Sequence, residues 1–308
     1  MAVEHEVNMD LVADIRRLRA EQNAIILAHN YQRPEIQDIA DFVGDSLELS
    51  IKASQLAEVE VVLFCSVDFM AETAKLLAPD KLVLLPDVTA GCPMADMVTA
   101  DGLRKLKSEH PAVPVVCYVN SSASVKAECD ITCTSANAIS VVNSLDADEV
   151  IFVPDQCLGG WVQRHTDKRL LLWPGYCPTH NRILSEHIHA QRAAHPAAEV
   201  VVHPECTADV IDLADHVVST GGMLRVARES AAREFIIGTE EGMMYRLRRE
   251  APEKTFYHIA ATAICPNMKK TTLEKVLWSL QDLQTPIEIP EDIAEGARLA
   301  IQRMLALS

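Results

Sequence analysis

Apolar positions along the chain fall in short runs separated by polar, helix-length stretches. A first set of runs, at residues 25–27, 113–119 and 200–202, ends in or just before the polar residues His29, Asn120 and His203. A second set lies at 59–64, 149–153 and 234–237, and a third at 81–85, 169–173 and 255–258. Their length and β-branched content predict strands, and the segments between them predict helices. Leu11, Val12, Ile15 and Leu18 recur at helical spacing and predict a helix from residue 10 to about 23. Segments 272–283 and 291–305 read as further amphipathic helices that brace the outside.

The pattern repeats three times. Asp41 to Ser46, Asp130 to Ser135 and Asp215 to Thr220 each set an Asp five positions before a hydroxyl residue, and a first-set strand lies ahead of each. Each third-set strand is followed by a Cys-Pro pair. The cysteines Cys92, Cys177 and Cys265 are spaced at intervals of 85 and 88 residues. Agreement in order, spacing and element type across three units argues against coincidence.

Alternating strands and helices predict an α/β fold of three pseudo-repeated units with small, mainly parallel sheets, packed around a pseudo-threefold axis with the active site at the centre. The units are expected at 1–93 with the N-terminal helix, 94–178, and 179–308 with the C-terminal bracing helices. Length alone would predict about two domains.

Composition narrows the function. Hydrophobic residues make up 49% and charged residues 23%, which describes a globular rather than a disordered chain. A net charge of -16 argues against nucleic-acid or anionic-membrane partners. The N-terminal stretch lacks the apolar run of a signal peptide, and no later stretch reaches transmembrane length, so a cytoplasmic location is expected. Nine cysteines, an odd number with no export signal, favour reduced thiols over a disulfide framework.

Three thiolates from three units suit a 4Fe-4S cluster with one open iron, where a ligand oxygen can be polarised. Inert buried thiols and a zinc site are the competing readings. Cys65 and Cys117 lie within apolar runs and read as core, whereas Cys157 and Cys206 follow strands but have no equivalents in the other repeats. Cys129 and Cys133 form a Cys-x-x-x-Cys pair that suits either a redox switch or separate packing roles.

Ser46, Ser135 and Thr220 precede helical segments, where hydroxyls cap and backbone N–H groups attract anions. His29 with Tyr31, Tyr118 with Asn120, and His203 with Glu205 stand at equivalent strand ends and supply donors, acceptors and proton carriers. His180, three residues beyond Cys177, reads as a residue that orients the loop.

His29-Asn30-Tyr31-Gln32, Gly44-Asp45-Ser46-Leu47, Tyr118-Val119-Asn120-Ser121-Ser122 and Cys133-Thr134-Ser135-Ala136-Asn137-Ala138 resemble the quinolinate synthase family. His203-Pro204-Glu205-Cys206, Ser219-Thr220-Gly221 and Cys265-Pro266-Asn267-Met268 continue the resemblance in order. It implies condensation of iminoaspartate with dihydroxyacetone phosphate, with loss of phosphate and two waters, to give quinolinate for NAD biosynthesis. It further implies one 4Fe-4S cluster on Cys92, Cys177 and Cys265, with one iron left open.

The family's pocket residues carry over onto His29, Tyr31, Ser46, Tyr118, Asn120, Ser135, His203, Glu205 and Thr220. Among these, Tyr31, His29, His203 and Glu205 are expected to move protons, and the hydroxyls with Tyr118 and Asn120 to grip phosphate and carboxylates. The resemblance also implies L-aspartate oxidase as supplier of the imine, without implying contact between the two enzymes. Some family members carry Cys-x-x-Cys-x-x-Cys at the third ligand, and this chain has only Cys265 there. A cluster-based sensor and another cluster-dependent hydro-lyase are the alternative classes, separable by activity.

Overall fold

The computed structural model describes residues 2–307, with side chains from Asp10 onward. It is an α/β protein with three four-stranded sheets whose strand pairings are all parallel. The first sheet holds β1 (Ala24–His29), β2 (Phe42–Gly44), β3 (Val61–Cys65) and β4 (Leu82–Leu84) in the order β2-β1-β3-β4. The second holds β5 (Val115–Tyr118), β6 (Ile131–Cys133), β7 (Glu149–Val153) and β8 (Arg169–Leu172) in the order β6-β5-β7-β8. The third holds β9 (Glu199–Val202), β10 (His216–Val217), β11 (Glu234–Gly238) and β12 (Thr255–His258) in the order β10-β9-β11-β12. The sheets thus share one topology, as expected of three repeated α/β units.

The chain divides into two compact units. One runs up to Cys92 and includes Pro266–Glu291, and the other comprises Pro93–Cys265 with the chain from Asp292 onward. The first unit contains the first sheet, and the second unit contains the other two.

The repeated Asp has a structural cause. Asp41 donates its N–H to the Ile26 carbonyl (2.8 Å) while its carboxylate accepts the N–H of the same Ile26 (2.8 Å). Asp130 makes the same pair of bonds with Val115 (3.1 and 2.8 Å), and Asp215 makes them with Val200 (2.9 and 2.7 Å). Each Asp clamps the start of its edge strand to the first strand of its sheet and so fixes the register. Leu27 is then opposite Phe42, Val116 opposite Ile131, and Val201 opposite His216.

Strand alternation builds the cores. In the first unit Ala24, Ile26 and Ala28 of β1 join Val61, Leu63 and Cys65 of β3 on one face. Ile15 and Leu18 of the helix Ala2–Glu21 cover that face, together with Leu273, Val276 and Leu280 of the helix Leu273–Asp282. The first helix ends two residues earlier than expected, and Asn23 (φ 47°) follows it in the left-handed region. In the second unit Val115, Cys117, Ile151 and Val153 form one core with Leu103, while Val200, Val202 and Ile236 form another with Ile188.

Among the described residues no helix is long and apolar enough to cross a membrane.

Replacing Asp41 by Ala leaves the partly buried Ile26 N–H without its acceptor. The expected loss is about 1–2 kcal/mol in urea unfolding. Asp41→Asn, which keeps an acceptor oxygen, is expected to lose less; the half-exposed ion pair with Arg19 adds little to either.

Candidate active site

Counted from the clamped residue of each first strand, the third and fifth positions onward are His29 and Tyr31, Tyr118 and Asn120, and His203 and Glu205. All follow or close a parallel strand at its C-terminal end, the side where ligands gather in such sheets.

In the first unit the His29 Nδ1 accepts the Tyr31 N–H (3.2 Å), and the two buried rings meet edge-on at 4.6 Å. Ser46 opens the helix Ser46–Ser54, but its preceding residue is the cap: Asp45 accepts the N–H groups of Leu47 and Glu48. Thr220, in the second unit, likewise opens the helix Thr220–Glu229 behind the cap Ser219. Ser46 and Thr220 therefore sit one step inside their helices instead of capping them, and Ser135 lies outside the helix Ala138–Ser144, ahead of its cap position Asn137.

The second unit brings Tyr118, Asn120, Ser135, His203 and Glu205 together. The Glu205 carboxylate is buried and accepts from the Tyr118 hydroxyl at 2.5 Å and from Asn120 Nδ2 at 3.4 Å. The His180 Nδ1 lies 2.7 Å from its other oxygen. A carboxylate only accepts, so His180 carries its proton on Nδ1, and Nε2 faces the Thr239 hydroxyl at 2.9 Å. The same Nδ1 is 3.2 Å from Cys177 Sγ, and Cys177, His180 and Glu205 keep their ligand atoms within 4.8 Å of one another. These three residues could hold a metal ion.

His203 Nδ1 accepts the Glu205 N–H (3.2 Å), so the ring's other nitrogen points its N–H at Ser135 Oγ (3.1 Å). Burial pushes His203 down to about 3, past the opposing pull of Glu205, with help from His180, whose ring stacks on it at 4.7 Å. Burial works to raise Glu205, but His180, His203 and the hydrogen bonds from His180 and Tyr118 outweigh it and hold the carboxyl well below the usual range. A neutral His203 acts on it as a dipole, which leaves Tyr118 and His180 as the donors that keep Glu205 anionic.

The three closing cysteines sit in matching loops. The carbonyl two residues before each accepts a backbone N–H from the segment after the third strand in order: Asp68 to Ala90 (2.9 Å), Gln156 to Gly175 (2.8 Å) and Glu241 to Ala263 (3.0 Å). The acceptor residues are small. A Cβ at Gly175 would lie 2.4 Å from the Pro154 carbonyl oxygen. A 3-10 turn begins three residues after each cysteine, at Ala95–Met97, His180–Arg182 and Met268–Lys270. A helix begins eight residues after each, at Ala100–Glu109, Ser185–Ala194 and Leu273–Asp282.

None of the nine cysteines is in a disulfide, and only Cys92, Cys157, Cys177 and Cys265 are partly exposed. Burial, with the charges of Asp155, Glu205 and Asp209, pushes the Cys157 thiol up to about 12. Cys129 neighbours Cys117 and donates to the Val125 carbonyl (3.0 Å), while Cys133 is buried in β6.

The description "Quinolinate synthetase A protein" matches residues 13–306 of the chain. Quinolinate synthase 1 of Methanosarcina acetivorans is 54% identical over 298 residues, covering 97% of this chain and 98% of that protein. The quinolinate synthase of Dehalococcoides mccartyi is 55% identical over 94% of this chain and 96% of its own length. That of Methanoregula boonei is 56% identical over 96% and 98%. The chain belongs to the quinolinate synthase family. It is an enzyme of that family.

Sequence reasoning gave His180 of this quinolinate synthase family member only a loop role and missed Asp155 and Glu240. A signal for the last two exists: Asp68, Asp155 and Glu240 each follow the third strand in order by two or three residues. Asp155 is fully buried. One carboxyl oxygen accepts from the N–H groups of Cys157 and Leu158, and the other has no partner. Burial and the Glu205 charge raise its pKa well above the ordinary 3.8, against those two hydrogen bonds.

A carboxyl with a raised folded pKa binds more protons when folded, so its contribution is full below the unfolded value and is lost as pH rises through the folded one. Asp155→Asn keeps an oxygen for the helix start and removes the acid. Its urea midpoint is expected to fall less than that of the unaltered chain as pH is raised from 4 to 8.

Proposed function

We propose that this enzyme condenses iminoaspartate with dihydroxyacetone phosphate to give quinolinate, phosphate and two waters, feeding NAD biosynthesis in the cytoplasm. The observation that carries the reading is the anionic, buried Glu205, held between Tyr118 and His180 beside Cys177. Family membership over nearly the whole chain supports it. The imine comes from an enzyme that oxidises L-aspartate, and no contact with that enzyme is required.

The thiols fit an iron-sulfur cluster. Cys92, Cys177 and Cys265 are soft donors, partly exposed, on loops of one design. These three residues would hold a 4Fe-4S cluster, which with three protein ligands would supply Lewis acidity at one open iron to assist loss of water.

The chain's own residues do the rest. Glu205 accepts a proton from the carbon acid that must enolise, because a buried carboxylate with only two strong donors keeps lone pairs for a third. The Tyr118 hydroxyl and the His180 Nδ1–H stand within 2.7 Å of it and return protons to leaving oxygens. His29 and Tyr31 extend the proton carriers. The neutral His203 orients the Ser135 hydroxyl, and Ser135, Ser46 and Thr220, with Asn120, grip phosphate and carboxylates near helix starts.

Anaerobic purification with iron and sulfide counting, followed by quinolinate assay from the two substrates, tests this directly. Serine at Cys92, Cys177 or Cys265 should each abolish cluster retention and turnover, whereas Cys157→Ser should retain both. Cluster retention by any of the three would remove that residue from the ligand set. Glu205→Gln should keep the cluster and lower kcat at least about 100-fold; undiminished turnover would refute its role as base.

A further inference from the structure

The cysteine loops of the second unit meet at one step of backbone, Thr239-Glu240, just after β11. The Thr239 hydroxyl contacts His180 Nε2 (2.9 Å), and His180 Nδ1 contacts Cys177 Sγ (3.2 Å). Glu240, fully buried, accepts the Cys265 N–H on one carboxylate oxygen (3.1 Å) and the Gly242 N–H on the other (2.7 Å). The next residue, Glu241, donates its N–H to Ala263, two residues before Cys265. Two bonds from adjacent residues thus grip this cysteine from both sides of its loop, one of them through a side chain.

We propose that Glu240 is a positioning residue for the iron-sulfur ligand Cys265, a role that rests on the cluster reading given above. The chemistry requires a carboxylate. Both backbone groups are donors, and an acid supplies an acceptor oxygen to each. A Gln at this position accepts at one oxygen only and turns an NH2 group toward an N–H at the other. It must therefore release either Cys265 or the turn at Gly242. Cys265 is followed by Pro266, which has no N–H to take over the anchoring. The carboxylate bond to Cys265 and the Glu241 bond to Ala263 both hold the loop on this side.

Two measurements decide it. With the cluster loaded anaerobically, Glu240→Gln is expected to lose iron to a chelator about 10-fold faster than the unaltered enzyme, read by decay of the cluster's visible absorption. The melting temperature of the cluster-free variant should fall only by the few degrees that one lost buried hydrogen bond costs, since a purely structural role would lower it further. Equal rates of iron loss overturn the proposal, as does a variant whose faster loss is matched by global destabilisation.

Hydrogen-deuterium exchange on the unaltered, cluster-free chain gives a readout independent of whether the variant folds. The Cys265 amide should exchange slowly beside the exposed residues 261 and 262; exchange as fast as theirs overturns the proposal. If the parent enzyme itself assembles no cluster, the cluster reading fails, while exchange at Cys265 still decides the contact with Glu240.

Discussion

Three carboxylates, on Asp41, Asp130 and Asp215, determine where everything else in this enzyme stands. Each bonds both backbone groups of one strand residue, Ile26, Val115 or Val200, and so fixes an edge strand against the centre of its sheet. A slip of one residue would turn every side chain of that strand to the opposite face. With the register fixed, counting alone delivers chemistry to the mouth of the sheet. Three residues beyond the clamp lie His29, Tyr118 and His203, five beyond lie Tyr31, Asn120 and Glu205, and five beyond each Asp lies a hydroxyl. The unit is repeated three times while its side chains differ, so equivalent strand ends present imidazole, phenol, amide and carboxylate groups.

The second regularity is the cysteine loop. Its anchor two residues before the thiol, its 3-10 turn three residues after and its helix eight residues after recur at Cys92, Cys177 and Cys265. Backbone bonds of this kind tie each loop through its main chain. Cys157 shows the contrast. It too is partly exposed, but burial and the acids beside it push its thiol up, and a suppressed thiolate is a poor metal ligand.

The repeat was legible in the sequence because it is local. Strand periodicity, Asp-to-hydroxyl spacing and the Cys-Pro pairs all lie within about 90 residues of chain, and the sheets follow them. Long-range pairing was not legible. Nothing in the spacing of Cys177, His180 and Glu205 announces that their ligand atoms come within 4.8 Å, because that depends on how two sheets pack within one unit. His180 was read only as orienting its loop, and Ala95 and Met268 occupy its position in the other loops. Helix capping was misassigned by one residue at Ser46 and Thr220, since Asp45 and Ser219 are equally good caps and backbone conformation decides between neighbours.

Asp155 and Glu205, two of the buried carboxyls of the second unit, are treated oppositely by their surroundings. Glu205 has strong donors and stays ionised, whereas Asp155 has two backbone N–H bonds on one oxygen, none on the other, and is pushed toward its neutral form by burial and by Glu205 itself. Two like charges in a poorly solvated site would each raise the other's cost, so ionising one and protonating the other is the state of lowest free energy. Around Glu205 this leaves one ionised carboxylate between the Tyr118 hydroxyl and the His180 Nδ1–H, with Asp155 as a neighbour pushed toward its neutral form.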